Sequence, residues 1–257
     1  MNESVTLGFA ICGLEHSGTT LVSDLFRQVD DIEAGFEVGA LICESPRNFV
    51  NLEPYSLNIL GGWQISRADL EHCCDTDQFD EFYRRLCAKS PLIGASVERT
   101  FDKTPRYLSC LSCVLTKVSV PFIVTYKDPR ATVYSDYSRA KAANFDEWYN
   151  SYKIAKLKYV RNLYSEYLAG KNNERVHMVR LEELCVDTLN TCRQMFNFLS
   201  LPFALDYLLL KDLRYKHTRD STVSPRIALE YREKLSRAQQ QRIESDFSQF
   251  SDWFFEA

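Results

Sequence analysis

Residues 13–20 read Gly13-Leu-Glu-His-Ser-Gly-Thr-Thr20. They satisfy every fixed position of the phosphate-binding pattern G-x-x-x-x-G-K-[ST] except the lysine, whose place is taken by Thr19. Two glycines at this spacing let the backbone turn its N–H groups inward, and a helix starting at Thr19 adds the positive end of its dipole at the same point. The hydroxyls of Thr19 and Thr20 add donors. The implied chemistry is capture of a phosphate or sulfate group. A kinase or nucleotide hydrolase also needs a lysine on the terminal phosphates and an acidic residue holding magnesium, and neither is evident here.

A second candidate anion site begins at Lys127. An apolar run over 120–126 ends in Lys127-Asp-Pro-Arg130, and the segment continues to Ser135. A strand end followed by a helix start, with two cations between them, suits an anion on any reading. Asp128 and Pro129 also make an ordinary helix start, an N-cap followed by a favoured first-turn proline.

Taken together, the segments resemble the 3′-phosphoadenylyl-sulfate (PAPS) sulfotransferases. Glu15-His-Ser-Gly-Thr-Thr20 aligns without gaps with that family's P-[KR]-S-G-T-[TS] loop, and Lys127 to Ser135 keeps the spacing of its R-D-P-R-A-x-x-x-S segment. Phe101-Asp-Lys103-Thr-Pro-Arg106-Tyr107 is similar to its D/E-K-T-P-R-Y segment, Arg180-Leu-Glu182 to its Y-E-D-L position, and Tyr215-Lys216-His217-Thr218-Arg219, more loosely, to the late loop that closes over the nucleotide. The resemblance implies that Glu15, His16, Ser17, Gly18, Thr19 and Thr20 hold the donor's 5′-phosphosulfate. It implies further that Lys127 and Ser135 hold its 3′-phosphate, that Lys216 and His217 cover it, and that Lys103 points at the transferred group. PAPS is then the donor, adenosine 3′,5′-bisphosphate (PAP) the product, and no metal is required. Glu182 is read as structural.

Sulfuryl transfer is an in-line displacement at sulfur, requiring positioning, neutralisation of charge on the leaving oxygen and removal of the acceptor's proton. His16 stands where the family has Lys or Arg, and its charge is expected to titrate near neutrality, which shifts load to Lys103. Glu37 lies after the next presumed strand, where the saccharide-type branch carries its base, and it is the preferred base here; Glu44, His72 and His217 are the alternatives. The acceptor class implied is a hydroxyl on a small molecule, either a natural product of polyketide or alkaloid type or a saccharide. Two other readings stay open: a small-molecule kinase with a degenerate loop, and a non-catalytic nucleotide-binding protein of the same fold.

The elements around these residues support an α/β frame. The apolar run 5–12 reads as a strand buried on both faces, and Leu21, Val22, Leu25 and Phe26 recur at helical spacing over 19–29. Further strands are expected over 120–126 and 176–181. Helices are expected over 130–141, over 145–168 with closure by Gly170, over 188–199, and as one or two pieces over 226–249. Alternating strands and helices predict a three-layer α/β/α sandwich with a mostly parallel central sheet, the P-loop-like fold of these sulfotransferases. Residues 44–98, interrupted by Pro46, Pro54, Gly61, Gly62 and Trp63, are the least patterned. They read either as an insert supplying the acceptor pocket or as a surface insert with one short helix at 78–88.

At 257 residues and 45% hydrophobic content, one domain is expected, burying roughly three quarters of its unfolded surface. A net charge of −4 gives no global field for nucleic acid or a polysulfated chain. No basic leader followed by a cleavage site and no apolar run near membrane length is present, so neither membrane nor leader is expected. Nine scattered cysteines suit a reducing, cytoplasmic setting and buried free thiols, and Cys110 and Cys113 form a C-x-x-C without a second pair. Oligomeric state is not legible.

Overall fold

The computed structural model describes residues 5–211 and 223–256. Five strands form one sheet: β1 (Leu7–Gly13), β2 (Ile32–Glu33), β3 (Arg99–Lys103), β4 (Phe122–Tyr126) and β5 (Val176–Arg180). Their order is β2-β3-β1-β4-β5, and every pairing is parallel. Parallel neighbours require long crossovers, and the helices that make them cover both faces. The expected three-layer α/β arrangement is therefore present, with all strands pointing the same way.

Alternation along β1, after an irregularity between Leu7 and Phe9, splits the core in two. Phe9 and Ile11 face α1 (Thr19–Phe26), α9 (Leu181–Val186) and α10 (Thr188–Phe198). There Phe9 packs on Phe26 and Phe101 at centroid distances of 4.9 and 5.2 Å, and Phe26 stacks on Phe196 at 4.9 Å. Leu7, Ala10 and Cys12 face the opposite layer, which contains α8 (Phe145–Gly170) and the helices from residues 44–98. Those are α2 (Pro46–Phe49), α3 (Tyr55–Gly62), α4 (Arg67–Cys74) and α5 (Phe79–Lys89).

The alternative reading of 44–98 as a surface insert is corrected here. Phe49, Ile59, Leu70, Phe82, Tyr83 and Leu86 are all fully buried, so the segment is part of the core. The helix expected over 78–88 is α5, with Phe79, Phe82, Tyr83 and Leu86 on its buried face; α2, α3 and α4 are too short for a period to emerge, although Ser66 and Asp69 form a capping box that marks the start of α4. Lys171 caps α8 with φ −62°, without a left-handed turn, and the helix ends at Gly170 as expected. A Cβ there would stand 2.5 Å from Leu111, so Gly170 allows close approach to α6 (Leu111–Val114).

After β4 comes α7 (Pro129–Ala140), capped by Asp128, whose carboxylate accepts the Arg130 N–H at 2.7 Å. The C-terminal region forms α11 (Pro225–Leu229), α12 (Tyr231–Lys234), α13 (Arg237–Phe247) and a closing turn. Its end returns to the β4–α7 junction. The Phe255 N–H donates to Asp128 at 2.9 Å, and Arg130 donates to the Phe255 carbonyl at 3.0 Å. Arg130 also pairs with Asp128 and Glu244, lying over the rings of Tyr231 and Phe254. All nine cysteines are free; Cys113 is exposed, Cys110 half-buried and the rest buried. No helix among the described residues is long and apolar enough to cross a membrane.

Candidate active site

Because all five strands are parallel, their C-terminal ends share one edge, where open α/β sheets place ligands. Read across the sheet, that edge carries Glu37 just beyond β2, Lys103 ending β3, the 13–18 loop after β1, Lys127 after β4 and Glu182 after β5. Residues up to 169 positions apart in sequence thus form one row.

The loop is built by close contact with β4. Leu14 donates its N–H to the Thr125 carbonyl at 2.9 Å. Ser17, fully buried, places its hydroxyl 2.6 Å from Thr125 Oγ1 and 2.5 Å from the Leu14 carbonyl. The Ser17 side chain is therefore engaged in holding the loop. His16 and Gly18 both have left-handed backbones, with φ of 62° and 92°, a conformation that turns amides toward a common anion. α1 starts at Thr19, and its first-turn N–H groups have no helical partner. The hydroxyls of Thr19 and Thr20 make no hydrogen bond among the described residues. Glu15 is exposed, its carboxylate acting on Tyr159.

His16 departs from the sequence expectation. It reaches solvent at the loop's crest, yet its pKa is lowered to about 4, by the protein around it first and then by Arg139, Lys127 and Lys156, with Asp136 opposing. These surroundings favour the neutral imidazole, whereas the sequence led us to expect titration near neutrality. Lys127 comes from the end of β4, and Arg139 and Lys156 from α7 and α8. There Asp136 is fixed by Lys156 at 2.7 Å, by the Tyr152 hydroxyl at 2.6 Å and by Arg139 at 3.3 Å.

Lys127 is buried, and its ammonium has no ion pair or hydrogen bond among the described residues. Burial pushes it down to about 8, against the pull of Asp136 and Glu182. Glu182 is itself fully buried. One of its oxygens accepts the Asp128 N–H at 3.0 Å, the other has no partner, and burial beside Asp128 pushes it up to about 7. Ser135, half-buried on α7, precedes Asp136 and makes no side-chain hydrogen bond among the described residues.

At the other end of the row, Lys103 Nζ meets Glu37 Oε1 at 2.5 Å and lies 5.3 Å from the centre of the Phe36 ring. Lys103 is nearly enclosed, whereas the Glu37 side chain keeps 21% of its surface exposed. The structure thus joins Glu37 to Lys103 and His16 to the Lys127 cluster. Of the alternative bases, Glu44 is exposed and His72 is exposed on α4. Lys216 and His217 lie outside the described residues. Sequence reasoning missed two tyrosines: Tyr55, whose ring lies against Gly39 and whose pKa is raised by burial and then by Glu37, and Tyr159, raised by burial and then by Glu15. They come from α3 and α8, and no local pattern marks them. Among the described residues, no group of three or more His, Cys, Asp or Glu is placed to hold a metal ion.

Comparison with known proteins agrees with this arrangement. The sulfotransferase domain of the Synechococcus PCC 7002 olefin synthase superposes with a TM-score of 0.63 at 16% identity, covering 98% of this chain and 95% of that one. The sulfotransferase domain of the curacin biosynthetic pathway gives 0.64 at 15% identity, covering 95% and 98%. Mouse sulfotransferase SULT7A1, solved with PAP, gives 0.56 at 10% identity, covering 98% and 86%. At these identities the likeness is one of fold. No curated protein matches the sequence. The profile of the sulfotransferase family, however, matches residues 9–205, which contain the loop, Glu37, Lys103, Lys127 and Glu182. The chain belongs to the sulfotransferase family.

Proposed function

We propose that the protein transfers the sulfuryl group of PAPS to a hydroxyl of a small-molecule acceptor and releases adenosine 3′,5′-bisphosphate. The observation carrying this reading is Lys127. An unpaired cation in a buried site is costly, and its retention is accounted for by a ligand that supplies the counter-charge. A 3′-phosphate does so, with Ser135 on the adjoining helix. The 13–18 loop and the start of α1 suit the 5′-phosphosulfate, as helix N-termini suit anions.

In this assignment the acceptor enters on the β2–β3 side. Glu37 takes the hydroxyl proton as the acceptor oxygen bonds to sulfur and the bond from sulfur to the bridging phosphate oxygen breaks. Lys103 offsets the charge growing on that oxygen, and His16 donates an N–H to the leaving phosphate. The neutral state of His16 leaves Lys103 and the α1 amides as the main electrostatic contributors. Two of the similar structures belong to an olefin synthase and to the curacin pathway, which supports a natural-product acceptor over a saccharide.

The test is thermal unfolding with adenosine 3′,5′-bisphosphate, with ADP, and with ATP plus magnesium. A ligand at a hundred times its dissociation constant adds about 2.7 kcal/mol to the folded state. Stabilisation by the bisphosphate is expected. Stabilisation by ATP with magnesium alone would replace this reading with a kinase. With an acceptor in hand, Glu37→Gln should abolish turnover and leave the bisphosphate shift intact.

A further inference from the structure

Asp102 immediately precedes Lys103 on β3, is fully buried, and has no part in the transfer described above. Its carboxylate gathers four donors. Oδ1 accepts the Val38 N–H at 3.2 Å and the Thr104 hydroxyl at 2.8 Å. Oδ2 accepts the hydroxyls of Tyr107 at 2.5 Å and Tyr83 at 2.6 Å. Two of these donors act as relays. Thr104 Oγ1 accepts the Gly39 N–H at 3.0 Å, and the Tyr107 hydroxyl accepts the Leu41 N–H at 3.3 Å. The N–H groups of residues 38, 39 and 41, which follow directly on Glu37, are thereby tied to one carboxylate.

No cation pairs with Asp102 among the described residues. Burial pushes its pKa up and the four donors oppose that shift. A site needing only packing is filled at least as stably by apolar side chains; a fully satisfied polar network instead fixes one arrangement. What this network fixes is particular. Asp102 is joined covalently to Lys103 and by hydrogen bonds to the segment after Glu37, so both halves of the ion pair are referred to a single point. Tyr83 brings α5 into the same network.

We propose that Asp102 is a positioning residue that, through Thr104 and Tyr107, locks residues 38–41 so that Glu37 stays against Lys103; the inference rests on reading that pair as the site of transfer. Asp102→Ala strands several buried donors at once and is expected to unfold the protein, so the test runs through Thr104. Thr104→Val keeps the shape and removes the two hydrogen bonds of the Thr104 hydroxyl, leaving the Tyr107 relay in place; Thr104→Ser keeps the hydroxyl. Lysines of the folded protein are acetylated with N-hydroxysuccinimidyl acetate and the rate at each is read by mass spectrometry.

In Thr104→Val, acetylation of Lys103 is expected to rise about fivefold, the opening that follows loss of a typical hydrogen bond. Thr104→Ser should protect Lys103 as the wild type does, and the unfolding shift with adenosine 3′,5′-bisphosphate should persist in both. Glu37→Gln should expose Lys103 by itself, with no further rise when Thr104→Val is added. Unchanged protection in Thr104→Val, exposure in Thr104→Ser, or a full further rise on top of Glu37→Gln would each overturn the proposal. Failure of Glu37 as base would appear separately, as normal sulfuryl transfer by Glu37→Gln, and would leave the protection pattern as stated.

Discussion

Lys127 carries the clearest conflict between stability and binding. A pKa pushed from 10.5 to about 8 costs the folded state about 3 kcal/mol at neutral pH. The sign follows from proton counts: the unfolded chain holds this proton more tightly, so the cost is full below pH 8 and fades as pH rises toward the free-lysine value. Lys127→Met should therefore raise stability in denaturant melts at pH 7 while weakening bisphosphate binding. A bound phosphate holds the ammonium proton, so wild-type affinity should fall about tenfold between pH 7 and pH 9, and that fall should vanish in Lys127→Met. Flat wild-type affinity across that range would contradict the assignment. Lys127 was legible in the sequence because strand, cation and Asp-Pro are contiguous. The ionisation of His16 was not, because Arg139 and Lys156 reach it from helices more than a hundred residues downstream.

At the scale of the element, the loop depends on two glycines for different reasons. A Cβ on Gly13 would stand 2.2 Å from the Thr125 carbonyl oxygen, in the backbone of β4; a Cβ on Gly18 would meet Leu181 Cδ1 at 2.7 Å, with φ at 92°. Backbone yields less than a leucine methyl. Gly13→Ala should cost more than 4 kcal/mol, as the exceptional substitutions do, and Gly18→Ala about 1–3 kcal/mol; denaturant unfolding that reversed the order would refute the account. Strand, loop and helix were readable here because the apolar run and the glycines are local signals. Within residues 44–98 only α5 was, since the four-residue and eight-residue helices before it fall below the length at which a 3.6-residue period shows. The clamp by Asp102 was hidden for the same reason at longer range: its donors lie up to 64 residues away.

At the scale of the whole molecule, the C-terminal turn closes on the strand that leads into Lys127. Trp253 is buried among Tyr126, Tyr164 and Tyr167, at centroid distances of 6.1, 5.4 and 5.5 Å. Two residues further on, Phe255 is held by Asp128 and Arg130. Trp253→Ala should cost about 3–5 kcal/mol and also weaken bisphosphate binding, because Lys127 lies between Tyr126 and Asp128. Calorimetry giving unchanged affinity in the folded variant would show that this closure serves stability alone.

The strand order also bears on how the chain is made. β1 precedes the other strands yet occupies the centre of the sheet, and its neighbours β3 and β4 follow roughly 90 and 115 residues later. A ribosome adding about 5–20 residues per second leaves this fully apolar strand without partners for several seconds or more. High contact order of this kind slows folding, so the nascent chain is open to aggregation through the same strand that leads into the 13–18 loop. Yield during recombinant synthesis should accordingly respond to temperature and chaperone supply more than the stability of the finished protein suggests.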